Sequence, residues 1–147
     1  MPSSINVWHL LQGWCDLWGV GHLASEITVE ISSRMTRSLG RCYPDRKLIR
    51  IAKFVLEEPE ELFHEVLCHE VGHVAAYHLY GKTIRPHGRE WQALMRQAGY
   101  PTSARYKGEA LSRLPQRTRR RKVSTTLLER IRRRLLARVQ SLATNRP

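Results

Sequence analysis

Two histidines four residues apart, with a glutamate directly after the first, constrain this chain more than any other feature: His69-Glu70-Val71-Gly72-His73. The motif lies in an apolar run from Leu67 to Leu79 that reads as a helix. Residues four apart lie about 40° apart around an α-helix, so His69 and His73 project from one face, one turn apart. Two imidazoles placed this way can bind one Zn²⁺ at roughly 2.0–2.1 Å each. Glu70 lies to one side of the pair, where it can hold a water at the metal and accept its proton. A buried helix with two hydrogen-bonded histidines would carry the same letters, so the test is a third ligand.

A catalytic zinc takes three protein ligands and leaves one position open. The continuation H-x-x-G-x-x-H is excluded, because Ala76 and Leu79 stand at its glycine and histidine positions. Two candidates remain downstream. Glu90 is the first carboxylate after the motif, and His87 stands fourteen residues past His73. The local pattern favours His87. Trp91, Leu94, Met95 and Ala98 repeat at helical spacing, and Gly99 closes the segment, so a helix is expected to begin near Pro86 or His87. His87 in its first turn would reach back to the metal, with Glu90 as a neighbour that orients a ligand ring.

The segment from His69 to Met95 closely resembles the SprT-like zinc metallopeptidases, whose pattern is H-E-x-x-H followed by H-G-x-x-[WF]. The matching residues are His69, Glu70 and His73, then His87, Gly88 and Trp91. The stretches Ser33–Cys42 and Leu48–Ile51 also look like the family's strand pair, and the resemblance spans roughly residues 5–105. It implies a zinc-dependent endopeptidase with His69, His73 and His87 as ligands of one Zn²⁺ and Glu70 as catalytic base. It also implies substrates that are proteins bound or crosslinked to DNA. The paired cysteines of a C-terminal zinc ribbon, found in many bacterial members, are missing. Cys15, Cys42 and Cys68 are scattered, so neither a second zinc nor a disulfide framework is expected. Cys68 reads as a small buried apolar residue.

The rest of the chain predicts an α+β, zincin-like small domain over residues 1–112 and an arginine-rich tail over 113–147. Val7, Leu10, Leu11, Trp14 and Trp18 make an amphipathic helix between Asn6 and Gly19. Strands are expected at Glu26–Ser32, Arg37–Tyr43 and Lys47–Phe54, with a turn at Pro44-Asp45. In a zincin-like arrangement the third strand would border the metal cleft as a sheet edge and pair with an extended peptide. Acidic residues around Pro59 place the start of the motif helix there, and Gly81 ends it after Tyr80. His64 and His78 fall about 140° from the proposed ligands and should be off the metal. Tyr77, Tyr80 and Tyr100 are candidates by type for assisting an oxyanion.

The net charge of +12 is concentrated at one end. Residues 1–112 hold 13 basic and 12 acidic side chains, and residues 113–147 hold 12 basic and one acidic. Arg117, Arg119, Arg120, Arg121 and Lys122 form a basic run. A helix predicted over Thr126–Ala143 carries Arg130, Arg132, Arg133, Arg134 and Arg138 around an apolar stripe. Such a tail suits sequence-independent binding to DNA through phosphate contacts. An anionic membrane surface is the rival partner, and a tail whose stripe docks on the domain is the third reading. No leader, no transmembrane segment and no further cysteine motif is visible, so an intracellular protein, cytoplasmic and associated with DNA, is expected. The competing functional class is a DNA-associated metal-binding adaptor with little peptidase activity.

Overall fold

A computed structural model describes residues 6–104. The domain boundary at 112 and the arginine-rich tail lie outside the described residues. The order of elements is helix, three short strands, long helix, helix, the α+β class expected. The first helix, α1, spans Val7–Leu17 and is capped by the Asn6 side chain, which accepts from the His9 backbone N–H at 3.1 Å. Leu11, Trp14 and Cys15 are its buried residues.

The strands are β1 (Thr28–Ser32), β2 (Gly40–Tyr43) and β3 (Leu48–Ala52), each shorter than the sequence pattern predicts. The outer residues of the expected third strand, Lys53 and Phe54, belong to a 3₁₀ turn that leads toward the long helix. A second 3₁₀ turn, Pro44–Arg46, joins β2 to β3 and ends with Lys47 in the left-handed region at φ 51°.

Strand order is β1-β3-β2, with β1 parallel and β2 antiparallel to β3. This corrects one expectation. The third strand is the centre of the sheet, its hydrogen-bonding groups engaged on both sides, so an extended peptide has no free edge there. The hairpin brings β3 back between β2 and β1 because Ile49, Ile51 and Ala52 are then buried. The edge strands are β1 and β2.

The long helix, α2, spans Glu60–Tyr80. Pro59 is its N-cap, Glu60 and Glu61 occupy the first turn, and Gly81 stops it at φ 83°. Phe63, Val66, Leu67, Cys68, Val71, Val74, Ala75 and Ala76 are buried around it, so α2 is the core of the fold. One flank packs on β2 and β3, and the others meet α1 and the last helix, α3 (Arg89–Ala98). Trp18 Nε1 donates to the Leu94 carbonyl at 3.0 Å and so ties the end of α1 to α3. After α3, Gly99 at φ 77° directs its own N–H to Arg96 and that of Tyr100 to Met95, a Schellman-type end. Tyr100 then packs edge-on against Trp14.

Candidate metal centre

His69 and Glu70 are the buried polar side chains among the described residues, each 5% exposed. Both lie mid-helix on α2, about 100° apart around its axis, and therefore face different neighbours. His69 and His73 face the turn before α3, where His87 stands. Glu70 faces β2.

His87 lies in a turn two residues ahead of α3, not in the first turn of that helix as the sequence pattern suggested. The physical reason is local. The Gly88 N–H closes a turn onto the Arg85 carbonyl at 2.9 Å, and Gly88 is extended at the N-cap. Gln92 Nε2 donates to the His87 carbonyl at 3.0 Å and fastens the turn to α3.

The Nε2 atom of His87 is 3.1 Å from that of His69 and 3.2 Å from that of His73. Ligand nitrogens about 2.05 Å from a tetrahedral zinc stand about 3.3 Å from one another. The two separations to His87 match that spacing, and all three ligand atoms lie within 4.8 Å of one another. They form the one His/Cys/Asp/Glu cluster of metal-binding geometry among the described residues, and Glu90 is not part of it.

Electrostatics favour the ligand form of all three. Burial, reinforced by His73 and His87, pushes the His69 pKa down to about 3. Burial and then His87 lower His73 to about 4, against the opposing effect of a hydrogen bond to the Pro86 carbonyl. Burial also lowers His87. Neutral imidazole is the species that binds metal, so no proton has to be displaced at neutral pH. The bond from the His73 ring to Pro86 leaves its Nε2 for the cluster and fixes the ring's orientation.

Trp91 is the wall of the site, a role its place in an apolar helix face did not reveal. Its ring stacks on His73 (centroids 5.4 Å, 17° between planes) and meets His69 and His87 edge-on at 4.6 and 4.9 Å. Its Nε1 donates to the His69 carbonyl at 3.2 Å. Gly72, inside the motif, makes this approach possible: a Cβ there would stand 3.0 Å from Trp91 Nε1 and 3.3 Å from Met95 Sδ.

A second close approach lies on the other flank. A Cβ at Gly40 would come within 2.6 Å of Glu70 Oε1 and 2.9 Å of Val66 Cγ1, so the first residue of β2 rests directly on the Glu70 carboxylate. Cys42, two residues along on the same face, has its thiol pKa pushed well up by burial and then by the nearby Glu70 charge. Cys68 is fully buried and its thiol is likewise raised, chiefly by desolvation, as a core residue.

The remaining histidines are off the cluster, as helical spacing predicts. His64 pairs with Glu60 at 3.3 Å, and His78 packs against His22. Of the tyrosines, Tyr77 lines a small cavity of about 200 Å³ with His73 and Pro86. Tyr100 packs on Trp14 and carries a pKa raised by burial, Cys68 and Glu65. Tyr80 is half exposed at the helix end. The basic residues from Arg117 to Arg138 lie outside the described residues.

The sequence profile of the SprT-like family matches residues 11–128 of the chain. Among curated relatives, proteins described as Protein SprT match part of it. That of Actinobacillus succinogenes is 39% identical over 57 residues, covering 38% of this chain and 33% of the relative. That of Pseudomonas paraeruginosa is 43% identical over 58 residues, covering 39% and 35%. That of Vibrio parahaemolyticus is 37% identical over 60 residues, covering 40% and 36%. The chain thus spans about a third of the length of the curated relatives it matches. No solved structure matches it.

Proposed function

The chain belongs to the SprT-like family, and from that premise we propose that it is a zinc-dependent endopeptidase that cleaves proteins bound or crosslinked to DNA. The observation that carries this reading is the convergence of His69, His73 and His87, with the buried Glu70 adjacent to His69 in the chain. Such a set is what a hydrolytic metal site requires: neutral ligands, an open side and a carboxylate base.

Zinc at these three nitrogens would supply Lewis-acid chemistry, acidifying a water to a pKa of about 7 and polarising a peptide carbonyl. Trp91, Pro86 and Gln92 hold the imidazoles in place, so little reorganisation is needed. Glu70 takes the proton of the attacking water and returns it to the departing amine. The Gly40 backbone packs closely on that carboxylate, leaving no room for a side chain between them. As an edge strand beside Glu70, β2 is the place where an extended substrate would pair through its main chain. Recognition of main chain gives loose sequence preference, and selectivity then comes from tethering. The basic tail supplies that tether by raising the local concentration of DNA-bound substrate.

The test is cleavage of a DNA-bound basic protein by the full zinc-loaded chain, with and without single- and double-stranded DNA, beside Glu70→Gln. DNA-stimulated cleavage that the variant loses is expected. A folded, zinc-loaded chain that cleaves nothing under these conditions while still binding DNA would replace the peptidase with a metal-binding adaptor.

A further inference from the structure

The face of the sheet turned away from α2 carries a row of charge that the metal site does not use. Side chains alternate along strands, so residues in register share a face. Glu30 of β1, Arg50 of β3 and Arg41 of β2 are in register across all three strands. The connection between β1 and β2 adds Arg34 and Arg37. Together they line a groove of about 700 Å³, with Tyr43 in its wall.

The charges in this groove are not balanced. Arg50 is bonded to Glu30 at 2.8 Å and lies over the Tyr43 ring at 5.4 Å. Arg34, Arg37 and Arg41 are exposed and have no carboxylate partner among the described residues. Arg41 stands directly opposite Arg50, and like charges directly opposed across strands are destabilising. The positive field also reaches Tyr43, whose hydroxyl pKa is lowered by a hydrogen bond to Arg41 and by both neighbouring guanidiniums. An anion bound in the groove would relieve this repulsion. A recessed track of arginines beside an aromatic ring is the arrangement that holds a single strand of nucleic acid, with backbone on cations and a base on the ring. An anionic membrane surface also attracts clustered arginines, and the vesicle arm of the test below separates the two.

We propose that this groove binds single-stranded nucleic acid, with Arg34, Arg37 and Arg41 on consecutive phosphates and Tyr43 as a stacking platform for a base. The choice of polyanion rests on the DNA-linked role proposed above. The groove is a second contact, separate from the tail and built into the domain. Its position matters because β2 is shared: Arg41 faces the groove, and Gly40 on the opposite face rests on Glu70. Arg37 precedes Gly40 by three residues, a span of at most about 11 Å. A strand held in the groove therefore passes one β-strand away from the carboxylate, and a protein attached to it is presented to the cleft.

The test is binding alone, so it is independent of peptidase activity. Fluorescence anisotropy would follow a labelled oligothymidylate on the full zinc-loaded chain in the Glu70→Gln background across a salt series. The triple variant Arg34→Gln, Arg37→Gln, Arg41→Gln is expected to lower the slope of log affinity against log salt by about 2, from about 0.7 per lost phosphate contact. Tyr43→Leu is expected to weaken single-strand binding about tenfold with little change in slope. Arg46→Gln, on the turn outside the groove, should match the parent. A triple variant with the parent's slope and affinity would overturn the proposal. So would a variant unchanged on DNA but impaired on phosphatidylserine vesicles, which would assign the groove to membranes. Equal losses on duplex and single strand with no effect of Tyr43→Leu would overturn the single-strand assignment.

Discussion

At the scale of single residues, the metal centre is a problem of burying polar groups without stranding them. His69 and His73 fold as neutral rings, and this has a pH consequence. Above pH 6.5, the ordinary histidine value, neither the folded nor the unfolded metal-free chain protonates them. Below it, the unfolded chain takes up protons that the folded one refuses until about 3 for His69 and about 4 for His73. Stability of the metal-free protein is therefore expected to fall as pH drops from 6.5 toward 4, measured by urea unfolding at stepped pH. Glu70→Gln should keep zinc at one per chain and lose cleavage by about 10²- to 10⁴-fold, the usual contribution of a positioned proton acceptor. His87→Ala should lose zinc itself, read by metal analysis after dialysis. His69, Glu70 and His73 are legible in the sequence because their spacing is a property of the helix alone. The contact of Gly40 with Glu70, from thirty positions upstream, is not, and Trp91, which the motif names, shows its packing against three imidazoles only in the fold.

Elements position the site through close contacts that tolerate no added volume. The crossing of α2 and α3 passes through Gly72, where a methyl group would press on Trp91 and Met95. Gly72→Ala is expected to destabilise the protein by about 1–3 kcal/mol, the usual penalty for overpacking, and to weaken zinc binding because Trp91 supports the ligand rings. Chemical denaturation and a zinc competition titration would read the two effects separately. Gly40→Ala should instead spare zinc affinity and lower cleavage, since its clash falls on Glu70. Helix ends were readable from Pro59, Gly81 and Gly99, residues whose backbone preferences act locally. The start of α3 was not, because the turn closed by Gly88 and Arg85 sets His87 ahead of the helix. The end of the third strand is misread for a similar reason: the strand-like pattern continues past Ala52 into a 3₁₀ turn.

For the whole molecule, zinc would join parts of the chain that lie far apart in sequence: α2, the turn before α3 and, through Trp91, α3 itself. An ion that binds only the folded state stabilises by about 4 kcal/mol at a thousand times its dissociation constant. Chelation is thus expected to lower Tm by roughly 10 °C or more, restored by added zinc, in differential scanning calorimetry of the full chain. Among the described residues no helix is long and apolar enough to cross a membrane. By itself the sequence determined the motif helix, the shared face of His69 and His73 and the α+β class, and it singled out His87 as the residue that joins them in one cluster. Each follows from helical periodicity or from residues within one short loop of each other. The tertiary structure alone decided that β3 is central and β2 the edge against Glu70. It also decided that Trp91 backs the ligands and that Arg41 and Arg50 share a face with Arg34 and Arg37. Strand order and side-by-side packing depend on which distant segments bury the most apolar surface together, and no local spacing rule encodes that competition.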